Sequence, residues 1–292
     1  MKRAEFLAAA LAAPSFPAVA RAQGPLLDAL RAAISSIPGS VGIYARTMAD
    51  GAPLISYNAD QSFPSASTIK MGIMLAAFRA AEQNPSVMRQ RIKYRQSELI
   101  GGSDFLQNRS DGESFTVHEL IVPMIQVSDN TASNLLITHF GFEAINSAFA
   151  SAGLRHTALR RHFLDFVAIG HHMDNRTTPA DMAHLLFELE RGARESIRTV
   201  AAPQSCRAMI DIMLGQTDRS SIPAGLPSGI AVANKTGELS RSRSDVAIVD
   251  PFGDTPYVLS VYTNGLDSPQ EAYGPIARIS RIVYGRLAGS DL

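Results

Sequence analysis

The chain of 292 residues carries one cysteine, Cys206, which excludes an intrachain disulfide framework and any cysteine-rich zinc site. A small buried apolar residue is the role expected of it. Neither sign of charge is in excess: Lys+Arg and Asp+Glu number 27 each, so no global basic field invites nucleic acid or an anionic membrane. No apolar run reaches the roughly 20 residues that a bilayer span requires. His171 and His172 stand near Asp174, but neither H-E-x-x-H nor H-x-H-x-D occurs. There is no phosphate loop or dinucleotide fingerprint, so neither a metal nor a cofactor is expected. Lysine is scarce as well: of the 27 basic residues only Lys2, Lys70, Lys93 and Lys235 are not arginine. Arginine stays protonated in proteins, whereas lysine can give up its proton in suitable surroundings, so the few lysines retained are candidates for chemistry.

Hydrophobic residues make up 46% and charged residues 18%, the balance of a soluble globular protein with a large core. Lys2-Arg3, the apolar run Phe6 to Ala13 and Ala20-Arg21-Ala22 read as the charged, apolar and cleavage regions of a secretory signal over residues 1–22. Removing it takes away three basic residues and one acid, which leaves 24 against 26 and a net charge of −2 in a mature chain 23–292, destined for the periplasm or the medium. Strand-like patterns flank an Asp50-Gly51 turn between Gly39 and Tyr57, and recur over Gly229–Leu239 and Asp245–Tyr262. Helical spacing marks Leu26–Ile37, Ser67–Gln83, Val117–Gln126, Thr131–Phe140, Glu143–Ala152, Thr178–Arg191, Ser205–Leu214 and Ser268–Leu287. Strands at both ends with helices between predict a sheet built from both termini (about 23–62 and 205–292) and an inserted helical part (about 63–204).

Three short motifs carry the chemistry. Ser67-Thr68-Ile69-Lys70 places a serine at a helix start with a lysine three residues on, on one face. Free backbone N–H groups there could receive an oxyanion, and the lysine is within reach to take the hydroxyl proton. Alone the pattern is weak, because an N-capping serine would look the same. Ser128-Asp129-Asn130 lies between two helical runs, so its side chains are expected to point out of a loop, and Lys235-Thr236-Gly237 ends a strand-like run. The order S-x-x-K, S-D-N, K-T-G in one chain is not a coincidence of composition, and two of the three lysines of the mature chain belong to it.

With Phe63-Pro64, Gly101-Gly102-Ser103, Thr131 to Leu136 and Thr177 to Met182 beside these motifs, the chain resembles the class A serine β-lactamases and their penicillin-recognising relatives along nearly all of the mature protein. The resemblance implies the β-lactamase/transpeptidase-like α+β fold: an antiparallel sheet from both termini with flanking helices, beside an all-helical domain. It implies a monomer acting on a small β-lactam or a cell-wall peptide. Residue by residue, it casts Ser67 as the acylated nucleophile, Lys70 as its proton acceptor and Ser128 as the relay to the leaving nitrogen. Asn130 would hold the substrate amide, and Lys235 and Thr236 the substrate carboxylate. Gly237 completes the third motif. The oxyanion hole would be the N–H groups of Ser67 and Glu238, so the Glu238 side chain carries no expected role. Arg243 resembles an arginine that some members use for the carboxylate, although a solvated hairpin arginine beside Arg241 is an equal reading. For Lys70 to serve as base, its pKa must fall by roughly three, about 4 kcal/mol, and burial with Lys235 nearby would push that way.

One element of the family pattern is missing. A glutamate before the T-T-P helix hydrolyses the acyl-enzyme in class A enzymes, but here the loop reads Leu159-Arg160-Arg161-His162-Phe163-Leu164-Asp165-Phe166, with Phe163 at the glutamate position. Asp165 is the nearest carboxylate and a candidate for deacylation, with His162 another. Three functions follow: a β-lactamase with an unusual deacylation step, a penicillin-binding D-Ala-D-Ala peptidase or related amide or ester hydrolase that deacylates slowly, and a sensor that binds without turnover.

Overall fold

In a computed structural model, residues 25–49 and 53–289 are described; the proposed signal over 1–22 and the Asp50-Gly51 turn lie outside them. Helix α1 (Pro25–Ser35) leads into strands β1 (Ser40–Thr47), β2 (Ile55–Tyr57) and the two-residue β3 (Phe63–Pro64). A helical stretch follows: α2 (Lys70–Gln83), a small ladder of β4 (Arg91–Lys93) and β5 (Ser114–Thr116), then α3 (Val117–Gln126), α4 (Asn130–Phe140), α5 (Phe142–Ser151) and the short α6 (Phe166–Gly170). Strand β6 (Arg176–Thr177), α7 (Pro179–Glu195) and α8 (Pro203–Leu214) lead back to the sheet. There β7 (Val232–Leu239), β8 (Ser242–Val249), β9 (Tyr257–Asn264) and α9 (Tyr273–Ala288) complete the chain.

The main sheet has the order β2-β1-β9-β8-β7, and every pair is antiparallel. Strands β8 and β9 are buried along nearly their whole length, and β8 runs from the polar Ser242 to Asp245 at the site end to the apolar Val246 to Val249. Val246, Ile248 and Val258 face the helical body, in a core with Ile69, Met71, Leu136, Leu186 and Met209. Alternate residues Ala247, Val249, Leu259 and Val261 face α1 and α9, packing on Leu30, Ile276, Ile279 and Val283. That is the period of two expected of strands. The antiparallel sheet with flanking helices beside a helical body is the β-lactamase/transpeptidase-like α+β fold anticipated from the sequence. No helix among the described residues is long and apolar enough to cross a membrane. Cys206 is buried, its thiol directed at the Ala201 carbonyl at 3.6 Å.

Local chemistry fixes the helix starts that matter for the site. At α3, Thr116 and Glu119 form a reciprocal capping box, Glu119 N–H donating to Thr116 Oγ1 at 3.1 Å and Thr116 N–H to Glu119 Oε2 at 2.7 Å. At α7, Thr178 accepts from Asp181 N–H at 3.1 Å, with Pro179 in the first turn.

Candidate active site

The residues of S-x-x-K do not begin one continuous α-helix. Ala66–Ile69 form a 3₁₀ turn, and the α-helix starts at Lys70. The cause is tertiary: Ser65 N–H donates to Asn175 O at 2.9 Å, and Ala66 takes a left-handed φ of +46° to keep that bond while turning inward. Thr68 Oγ1 donates to Ser65 O at 2.7 Å, which leaves the Tyr262 hydroxyl on β9 to donate to Thr68 Oγ1 at 2.6 Å. Strand β7 comes close to this turn at Gly237, where a Cβ would lie 3.0 Å from Ala66 Cβ and 3.2 Å from Ser65 O. Glycine in K-T-G is thus what lets the strand lie against the Ser67 turn.

Ser128 holds a left-handed φ of +58°, and Asp129 caps α4 through Ala132 N–H at 2.8 Å. The triplet does not point wholly outward, as its loop position suggested: Asp129 is buried, and its other oxygen accepts from Phe105 and Leu106 N–H, both at 3.0 Å. Asn130 is held by the Gly101-Gly102 segment, donating from its side chain to Gly101 O at 2.9 Å and from its backbone to Gly102 O at 3.0 Å. A Cβ on Gly102, whose φ is +67°, would meet Asn130 Nδ2 at 2.7 Å.

These elements bring two buried lysines to one serine. Lys70 Nζ donates to Ser128 O at 2.6 Å, Ser128 Oγ at 3.1 Å and Asn130 Oδ1 at 2.7 Å; Lys235 Nζ donates to the same Ser128 Oγ at 3.0 Å and to Thr236 O at 2.9 Å. Both lysines are 0% exposed. Burial, and after it the Lys235 charge, hold Lys70 well below its ordinary value, and burial brings Lys235 down to about 7. Three acceptors around Lys70 Nζ match the three donors of an ammonium. Ser67 Oγ is not among them, so the Ser67–Lys70 contact expected from the spacing is not made in this arrangement. Ser67 is half-buried and lines a cleft of about 440 Å³ together with Asn130, Phe163, Leu164, Phe166 and Glu238. That volume lies within the range of small-molecule sites.

Phe163 lines the cleft beside Lys70. Its backbone is clamped by Asn134, Phe163 N–H donating to Oδ1 at 2.8 Å and Nδ2 donating to Phe163 O at 3.2 Å. Its ring centroid lies 4.3 Å from Lys70 Nζ, a cation–π contact in place of a hydrogen-bond acceptor. Asp165 finds no geometry for the deacylation role raised for it: it is not among the cleft-lining residues, and its Oδ1 caps α6 through Ala168 N–H at 2.9 Å. His162 is also turned elsewhere, its Nε2 3.3 Å from Thr138 Oγ1 and its ring edge-on to Phe142.

The loop itself is tied down by Arg161, which pairs with Asp174 at 2.7 Å and donates to His162 O at 2.9 Å. The Arg161 side chain is 6% exposed and that of Asp174 26%. Replacing Asp174 by Ala would strand a buried guanidinium. The expected loss is on the order of 2–3 kcal/mol, below the 3–5 of a fully enclosed pair, and urea denaturation would register it. His171 and His172, at the end of α6, are exposed and gather no metal set: among the described residues no three His, Cys, Asp or Glu side chains cluster for one.

Arg243 departs from the solvated reading. It is 2% exposed, pairs with Asp218 at 2.8 Å and Glu238 at 3.0 Å, and donates from Nε to Ser221 Oγ at 3.0 Å. The Glu238 carboxylate, to which no role was given, also accepts from the Tyr273 hydroxyl at 2.5 Å. Asp218 and Tyr273 went unnoticed because they come from separate parts of the chain. Glu238 could have been found from the hairpin, since it lies directly across from Arg243 in the β7–β8 register.

A serine at a tight helical turn, a second serine between two desolvated lysines, and a K-T-G strand beside them define a serine-centred site of the β-lactamase/transpeptidase class. The family model of the β-lactamase enzyme family matches residues 25–287, and the chain belongs to that family. Among solved structures it is similar to the β-lactamase from Sphaerobacter thermophilus DSM 20745, with 29% identity over 91% of this chain and 98% of that one and a TM-score of 0.80. It is similar also to PBP-A, with 27% identity over 94% of this chain and 100% of that one and a TM-score of 0.78. A leucine-to-glutamate variant of PBP-A, solved as the acyl-enzyme complex with penicillin G, matches at 27% identity over 90% of this chain and 97% of that one, with a TM-score of 0.78.

Proposed function

We propose that the protein is an exported serine hydrolase that opens β-lactam rings through an acyl-enzyme on Ser67, and that the acyl-enzyme is long-lived. The observation that carries the first half is the position of Ser128 Oγ, 3.1 Å from Lys70 Nζ and 3.0 Å from Lys235 Nζ, with Lys70 also bonded to Asn130, which lines the cleft together with Ser67. Neutral Lys70 has two donors and a lone pair, so it gives up one of its three bonds and turns that lone pair to the Ser67 hydroxyl. The Ser67 oxygen bonds to the lactam carbon, the C–N bond breaks, and Ser128 passes the proton from Lys70 to the leaving nitrogen. The N–H groups of Ser67 and Glu238 are the oxyanion donors in this scheme. Lys235 and Thr236 meet the part of the substrate beyond the ring nitrogen.

Phe163 supports the second half. A phenyl ring cannot polarise water, and the carboxylates that line the cleft are both engaged, Asp174 by Arg161 and Glu238 by Arg243 and Tyr273. This favours the reading as a penicillin-binding peptidase or esterase, with β-lactams as slow substrates, at the expense of an efficient β-lactamase. The test is pre-steady-state turnover of a chromogenic cephalosporin alongside intact-mass measurement of the acyl-enzyme. The expected result is a burst of one product per site and then a slow steady state. Turnover without a burst or a detectable adduct would reject slow deacylation. Phe163→Glu is expected to raise the steady-state rate by about 10²-fold while the burst amplitude stays at one, the size typical of a positioned general base.

A further inference from the structure

We propose that Glu238 neutralises the Arg243 end of the cleft, so that the enzyme prefers acyl substrates whose leaving portion is neutral or cationic over those bearing a carboxylate there. This deepens the function proposed above and rests on acylation of Ser67.

The argument begins with the hairpin. Glu238 on β7 and Arg243 on β8 are direct cross-strand partners, which puts their side chains on one face of the sheet. Four of the five guanidinium N–H donors are engaged: Nη1 donates to Glu238, Nη2 to Asp218 and to Ser220 Oγ at 3.0 Å, and Nε to Ser221. Its outer face is covered by the Tyr273 ring, whose centroid lies 4.4 Å from the guanidinium carbon. A ligand carboxylate needs a free, bidentate edge of the fork, and none is left.

Exposure decides which of the two charges a ligand meets. The Arg243 side chain is 2% exposed and that of Glu238 41%, and Glu238 lines the cleft whereas Arg243 does not. An anion approaching this end therefore encounters a resident carboxylate before any guanidinium. The surrounding charges point the same way. The Arg243 charge itself is met by two carboxylates, Asp218 at 2.8 Å and Glu238 at 3.0 Å. A guanidinium kept for a substrate carboxylate would hold unspent positive charge at this end of the cleft, and Arg243 does not.

The substrates this arrangement suits are acyl donors with an amide, ester or amine where a terminal carboxylate would otherwise sit, such as a D-Ala-D-Ala peptide that is amidated or extended at its C-terminus. The probes are benzylpenicillin and its methyl ester, which differ only in that carboxylate, with second-order acylation followed by intact mass. For the unmodified enzyme the acid-to-ester rate ratio is expected to be one or lower. Glu238→Gln, which keeps the shape and the Tyr273 hydrogen bond but removes the charge, is expected to raise the ratio about tenfold. Glu238→Ser provides a second reading with the backbone N–H retained. An acid-to-ester ratio above ten in the unmodified enzyme, unmoved by either variant, overturns the inference while leaving Ser67 acylation intact. Failure of both probes to form an adduct overturns the acylation scheme and this inference with it.

Discussion

Replacing Ser67 by alanine is expected to abolish covalent labelling by a fluorescent penicillin. Among the described residues two serines line the cleft, Ser67 and Ser240, and of these Ser67 sits on the turn supported from three sides, by Asn175 O, Tyr262 and the glycine of K-T-G. Ser128 has a hydroxyl nearby, but it lies between two lysine amines, in the place proposed for a proton carrier. The exchange removes one oxygen from a half-buried position whose backbone contacts do not depend on it, so the fold is expected to persist. A labelled band of unchanged intensity in denaturing gels would sink the nucleophile assignment, and a band surviving at the Ser128 peptide would exchange the roles of the two serines.

Lys70→Ala is expected to slow acylation by about 10²–10⁴-fold, the cost of losing a positioned general base. The setting supports a large effect. Lys70 is enclosed, burial and Lys235 both disfavour its charge, and the loop-side carboxylate of the cleft, Asp174, is already held by Arg161. The direction of the pH dependence follows. Only the neutral amine can accept the Ser67 proton, so acylation should rise with pH through the lowered Lys70 value. Lys70→Ala should lose that limb of the profile as well as the rate. Stopped-flow acylation across pH measures both. A variant within tenfold of the parent, with the same profile, would assign proton removal to another group.

Much of this was legible in the residues, and the exceptions share a cause. Helix α3 was read at its observed bounds because Thr116 and Glu119 supply a local stop and start that no distant contact overrides. The S-D-N and K-T-G motifs named the groups that meet at Ser128, because short spacing fixes the chemistry even where it does not fix distance. Ser67 was read as the first turn of a helix and lies in a 3₁₀ turn, since the bond from Ser65 to Asn175 spans the chain and leaves no local mark. Asp129 was read as facing outward for the same reason, its partners Phe105 and Leu106 being far upstream. Arg243 needed Asp218 and Tyr273 before its buried state could be known. Phe163 is the reverse case: the loop alignment put an aromatic ring where a carboxylate is expected, and the ring lies against Lys70.

Strand β1 pairs along its whole length with β9, Ser40 opposite Asn264 and Thr47 opposite Tyr257. During synthesis, the first strand to leave the ribosome therefore waits for nearly the last. Its other neighbour, β2, contributes only a short ladder, and an isolated two-stranded ribbon is marginal in water. Lys235 arrives with the same late hairpin that gives β9 its place, so the catalytic constellation cannot assemble on a nascent chain. Long-range pairing of this kind folds slowly. The sheet can therefore close, and the two lysines can meet at Ser128, only when translation is all but complete.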